Sequence, residues 1–135
     1  MTDKQLMAIA VSAMERSYSP YSGFRVGAAL LGTDGRVWCG CNIENASYPL
    51  TVCAERCAIF KAVSEGACEF NALAIAGGKQ GEARQCCPPC GSCRQVMAEL
   101  CRRPDFYVLL EDGRGGILRY TLDELLPLRF DSGSL

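Results

Sequence analysis

The sequence contains no histidine. Ser-His-Asp and Cys-His catalysis are therefore impossible within it, as are histidine-ligated zinc and the 2-His-1-carboxylate iron centre. Long apolar runs are missing too: nothing approaches the length of a membrane span. Met1-Thr2-Asp3-Lys4-Gln5 has no basic region leading into an apolar stretch of a secretory signal. A cytoplasmic protein is the expectation. There is no strong charge of either sign, with 14 basic against 15 acidic side chains and a net charge of −1. Arg102-Arg103 is the densest basic feature, whereas a polynucleotide partner calls for a basic stripe. A small uncharged substrate is predicted, with neither nucleic acid nor membrane as partner. No composition break, repeat or low-complexity run divides the chain, so residues 1–135 read as one domain around one core.

Cysteine, by contrast, is abundant, and ten of them without a secretion signal indicate free thiols or metal ligands more than disulfides. Two stretches concentrate the chemistry: Cys53-Ala54-Glu55-Arg56 and Pro88-Pro89-Cys90-Gly91-Ser92-Cys93-Arg94-Gln95. Three thiolates from two places in the chain, with a carboxylate two residues from the first, suit a zinc-activated hydrolysis. Three ligands hold the metal, the fourth position admits a water, and the carboxylate carries protons. Arg56, one turn from Cys53, is placed to donate hydrogen bonds to the sulfurs or to form a surface ion pair. Cys87, Cys90 and Cys93 also form a C-x-x-C-x-x-C run, but Met97 stands where an iron–sulfur run would place its next cysteine. Cys57, four residues after Cys53, could complete a closed tetrathiolate zinc without catalysis. Glu55 would be idle there. Cys39, Cys41, Cys68, Cys86 and Cys101 read as small buried hydrophobes.

Periodicity supplies the frame. Thr2-x-x-Gln5 is a capping box, and Leu6, Ile9, Ala10, Ala13 and Met14 mark the buried face of a helix ending near Arg16. After a Pro20 and Gly23 loop, strands over Phe24–Leu31 and Arg36–Asn42 are joined by the Gly32-Thr33-Asp34-Gly35 turn. Trp38 reads as core packing. A second helix starts near Thr51, carries Cys53 in its first turn, and turns Ala58, Ile59, Ala62 and Val63 to the core. Residues 71–76 form a buried strand. Pro88-Pro89 opens a third helix with Cys90 and Cys93 on one face, closed by Arg102-Arg103-Pro104. Strands over Phe106–Leu110 and Ile117–Thr121 and a short helix over Asp123–Leu126 follow. This order predicts an α/β fold, a three-layer α/β/α arrangement around a five-stranded mixed sheet, with the two cysteine-bearing helix starts meeting at one end.

Cys53-x-Glu55 with Pro89-Cys90-x-x-Cys93 resembles the signature of zinc deaminases. Ser19-Pro20-Tyr21-Ser22-x-Phe24-x-Val26-Gly27-Ala28-Ala29, Asn42-Ile43-Glu44-Asn45-Ala46-Ser47-Tyr48, Leu125-Leu126-Pro127 and Phe130 extend the match over nearly the whole chain. The sequence is thereby similar to the small homotetrameric cytidine deaminases. That resemblance implies hydrolysis of cytidine and deoxycytidine to the uridines and ammonia, in pyrimidine salvage, with one zinc per subunit on Cys53, Cys90 and Cys93. It assigns proton transfer to Glu55 and sulfur hydrogen bonding to Arg56. It further implies that Asn42 and Glu44 bind the ribose 3′-hydroxyl, the Ala54 amide holds the pyrimidine carbonyl, and Phe24 packs on the nucleoside. Ala46, Tyr48 and Phe130 would serve a neighbouring subunit's site in a shared homotetramer. A blasticidin-S-type nucleoside deaminase and a non-catalytic structural zinc module are the alternatives.

Overall fold

The computed structural model describes residues 1–135. Its sheet has five strands, β1 (Phe24–Gly32), β2 (Val37–Cys41), β3 (Phe70–Lys79), β4 (Tyr107–Glu111) and β5 (Ile117–Thr121), in the order β2-β1-β3-β4-β5. Only β3 and β4 pair in parallel; the other pairs are antiparallel. Helix α1 (Asp3–Ala13) covers one face, while α2 (Ala54–Ser64) and α3 (Gly91–Leu100) cover the other. A short α4 (Leu122–Leu125) follows β5. The mixed sheet between helical layers is the architecture expected from the element order. No helix is long and apolar enough to cross a membrane.

The two sheet faces differ in side-chain size, and this sets how closely each helix approaches. Toward α2 and α3, the central strands present Leu30, Phe70, Leu73, Ile75, Val108 and Leu110, which join the larger core cluster. Toward α1 they present Ala29, Ala72, Ala74 and Ala76 beside Leu109, so α1 lies close against the sheet through Leu6, Met7 and Ala10. Alternation at period two divides one strand sequence between two cores, except where a register shift opposite Leu31 and Gly32 turns Phe70 to the larger one. Trp38 packs in the larger core edge-on to Phe70, with ring centroids 6.1 Å apart, as its size suggested.

Local signals fare well. Thr2 and Gln5 form the capping box that starts α1, and the Gly32–Gly35 turn joins β1 to β2 with Gly35 at φ 90°. Several expectations need correction. Cys53 and Cys90 are the N-cap residues of α2 and α3, with extended backbone, and do not lie within the helices. Pro88-Pro89 therefore precedes the third helix and does not open it. β3 runs on through Gly77-Gly78 to Lys79, because β1 pairs with it along that length. Val63 is exposed on α2. Among the cysteines read as buried hydrophobes, Cys101 is buried, Cys39, Cys41 and Cys86 are half-buried, and Cys68 is exposed.

Register explains why distant segments meet. Gly27 of β1 pairs with Cys41 of β2 on one side and with Ala76 of β3 on the other. The carboxyl ends of β2 and β3 thus lie at the same end of the sheet, and the segments leaving them lead to the starts of α2 and α3. Gly40 brings α2 down onto β2: a β-carbon there would stand 2.5 Å from the Ala58 amide nitrogen and 2.9 Å from the Cys57 β-carbon. The Ala58 amide is backbone and has little freedom to yield. Gly40→Ala should therefore destabilise the fold by about 1–3 kcal/mol, the usual cost of overpacking, and lower zinc retention by tilting the first turn of α2. An unchanged urea midpoint and zinc content would contradict this placement.

Candidate active site

Cys53 and Cys90 occupy equivalent places, each capping a helix whose first amides have no acceptor within the helix. Neither sulfur makes a capping hydrogen bond, so both are free for other work. Cys93 follows in the first turn of α3 and is buried. The Cys53 and Cys90 sulfurs are 3.8 Å apart, those of Cys90 and Cys93 3.6 Å, and all three lie within 4.8 Å of one another. A tetrahedral zinc with bonds of about 2.3 Å has ligand edges of about 3.8 Å. Two of the three sulfur–sulfur edges thus already match a zinc site, and the third sulfur pair lies within 4.8 Å. Cys57 does not join the group; it packs over Gly40. Cys87 does not join it either, lying against Gly77.

Electrostatics treat the sulfurs unequally. The Cys53 thiol is pulled down to about 5, first by a hydrogen bond from Cys93 and then by Arg56 and Cys90, against the effect of burial. Cys93 is pushed the other way, since it gives its hydrogen to Cys53 and is itself desolvated. The Arg56 guanidinium donates to the Cys53 sulfur at 3.3 Å. Arg56 takes part in no ion pair with a carboxylate, so the surface-pair reading fails. Zinc with three thiolates carries a net −1, which Arg56 and two helix N-termini of about +0.5 each offset. Such partners of metal ligands commonly set metal affinity.

Glu55 sits on the first turn of α2 and is 5% exposed. Burial raises its carboxyl to about 7; a hydrogen bond from its own backbone amide opposes the rise, and the nearby Cys53 charge adds to it. A buried acid that exchanges its proton near neutrality is suited to proton transfer. A cavity of about 180 Å³ opens beside it, lined among others by Asn42, Cys53, Ala54, Glu55 and Cys90. Val26, Thr51, Val52, Cys87 and Pro88 complete the lining. Cys87 and Pro88 stand next to the second cysteine motif, whereas nothing in the local sequence marks Val26, Thr51 and Val52 as site residues; strand pairing and helix docking bring them there.

The remaining candidates take varied places. Asn42 is pinned: its Oδ1 accepts from the Val26 amide at 2.9 Å and from Ser17 Oγ, while Nδ2 donates to the Phe24 carbonyl at 2.8 Å. Glu44 is buried, and its carboxylate accepts from the Tyr21 and Ser22 amides and the Ser22 hydroxyl. The Ser22 hydroxyl, ahead of those amides, keeps Glu44 below the usual carboxylate range. Phe24 lies over Gly77, its Cε1 3.2 Å from where a β-carbon there would stand, and neither Phe24 nor Glu44 lines the cavity. Ala46, Tyr48 and Phe130 are exposed and do not line the cavity; the Phe130 carbonyl accepts from Gln95 Nε2 at 2.8 Å.

Comparison with known proteins follows the same lines. Residues 1–109 match the model of the cytidine and deoxycytidylate deaminase zinc-binding region. A cytidine deaminase of Halalkalibacterium halodurans is 51% identical over 130 residues, covering 96% of this chain and 95% of that one. The crystal structure of cytidine deaminase from Burkholderia pseudomallei superposes with a TM-score of 0.87 at 44% identity, covering 96% of this chain and all of that one. A blasticidin-S deaminase of Bacillus cereus is more distant, at 30% identity over 132 residues. Arg56→Gln should weaken zinc binding by about 10–100-fold, the usual loss for a residue supporting a metal ligand. Competition with a chelator measures it, and an unchanged affinity would remove Arg56 from the site.

Proposed function

The chain belongs to the cytidine and deoxycytidylate deaminase family, and on that premise we propose that it hydrolyses cytidine and deoxycytidine to uridine and deoxyuridine, releasing ammonia. The observation that carries this reading is the buried Glu55 carboxyl beside three converging sulfurs at the mouth of one small cavity. Cys53, Cys90 and Cys93 would hold one zinc ion per chain, whose Lewis acidity would make a water nucleophilic at neutral pH. Glu55 would take a proton from that water and deliver it to N3 of the pyrimidine, which leaves C4 electrophilic. As the water oxygen adds to C4, the hydroxyl so formed supplies the second proton, which Glu55 hands to the departing amine, and the C4–N bond breaks. Arg56 holds the Cys53 sulfur in place and balances its charge.

Groups lining the cavity and others just outside it would orient the nucleoside. Ala54 is the first residue of α2, and its amide, free of any helical acceptor, is offered to the pyrimidine carbonyl. Phe24 packs against the nucleoside. Asn42 has its oxygen committed, so its remaining Nδ2 hydrogen makes it a donor only. Glu44, held ionised, is an acceptor only. A sugar 3′-hydroxyl, which both accepts and donates, complements such a pair. A hydrogen with no oxygen would not.

Ala46, Tyr48 and Phe130 complete a neighbouring site in a homotetramer. Support comes from apolar surface on this small chain: Tyr48, Leu50, Phe60, Val63 and Phe130 are all exposed. Ten unpaired cysteines suit a reducing compartment, and a cytoplasmic role in pyrimidine salvage accords with that. Cytidine incubated with the zinc-loaded protein should be converted to uridine, seen as a change in ultraviolet absorbance. Glu55→Gln should retain about one zinc per chain yet lose about 10²–10⁴-fold or more in kcat, as expected for loss of a general acid and base. Full activity in that variant would refute the role of Glu55. No conversion by folded, zinc-loaded wild type would refute cytidine as substrate.

A further inference from the structure

We propose that Ser22 is a positioning residue that sets selection for the sugar 3′-hydroxyl by fixing the Glu44 carboxylate; this rests on the reading of Glu44 as a ribose contact. The two ends of that carboxylate are held differently. Oε1 accepts from two backbone amides, those of Tyr21 at 3.0 Å and Ser22 at 3.2 Å. Oε2 is held by one group, the Ser22 hydroxyl at 2.5 Å.

The direction of that last bond is settled by its neighbour. The Phe24 amide donates to Ser22 Oγ at 3.0 Å, and an amide only donates. The serine oxygen accepts there and spends its single hydrogen on Glu44. One hydroxyl therefore ties the Glu44 carboxylate to the backbone of Phe24, the residue that packs on the nucleoside. Terminal carboxylate torsions are broad and weakly restrained by themselves. Without the hydroxyl, Oε2 is free to swing and to take water.

Asn42 needs no such help. Backbone groups at Val26 and Phe24 fix both ends of its amide, and the Ser17 hydroxyl only adds to them. The loop carrying Ser22 also has supports of its own, since the Glu44 amide donates to the Tyr18 carbonyl at 2.8 Å and the Gly23 amide to the Ser19 carbonyl at 3.0 Å. Ser22 is exposed, so its side chain can be trimmed without opening the core. Removing the hydroxyl thus loosens one carboxylate oxygen and leaves the frame standing.

The test compares kcat/KM for cytidine and for 3′-deoxycytidine in wild type, Ser22→Ala and Ser22→Thr. A site built around a substrate hydroxyl rejects an analogue lacking it by large factors, up to about 10⁴–10⁵. Ser22→Ala should narrow that preference by about tenfold or more, mainly through a higher KM for cytidine, with 3′-deoxycytidine little changed. Ser22→Thr, which keeps the hydroxyl, should restore it. A preference in folded Ser22→Ala within about twofold of wild type, or equal losses on both substrates, would overturn the inference. Failure of wild type itself to convert cytidine would instead reject the proposed function, and this inference with it.

Discussion

The structure depends on two helix N-termini being brought side by side at one end of a sheet, each ending in a cysteine. The pairing of Gly27 with both Cys41 and Ala76 fixes the two strand ends at one level, and the glycine at position 40 lets α2 descend to the sheet. Cys53 and Cys90 then face each other across 3.8 Å. Because both are caps, their sulfurs stand outside the helices while the free amides behind them point toward the same space. Positive potential and soft ligands coincide for a geometric reason.

The absence of histidine shapes the chemistry that can follow. An all-thiolate ligand set binds zinc firmly but brings excess negative charge, which by itself would make an attached water less acidic. Arg56 and the helix termini counter that charge. Proton transfer must then fall to a carboxyl, and burial moves Glu55 from the ordinary acid range to about 7. On the proposed function, that one side chain, desolvated by its own position on the first turn of α2, would take the part that imidazole plays elsewhere.

What could be read from the sequence follows how local each signal is. The Thr2 capping box and the Gly32–Gly35 turn were legible because their partners lie within a few residues. The metal ligands were legible as a spacing, yet their position as caps was not, since whether a cysteine caps a helix or begins it depends on one backbone torsion. Paired prolines before Cys90 pointed to the helix start two residues early. Val63 has helical spacing with Ile59 yet lies at the edge of the buried face. The bonds from Ser22 to Glu44 and from Ser17 to Asn42 span 22 and 25 residues and have no local signature. They depend on a loop folding back on a strand end, which only the assembled sheet reveals.

Whether the sulfur site stays open decides between an enzyme and a structural module. Zinc K-edge X-ray absorption on the loaded protein measures this directly. Three sulfurs at about 2.3 Å and one oxygen or nitrogen at about 2.0 Å are predicted. Four sulfurs, with Cys57 or Cys87 drawn in, would close the site and contradict the account.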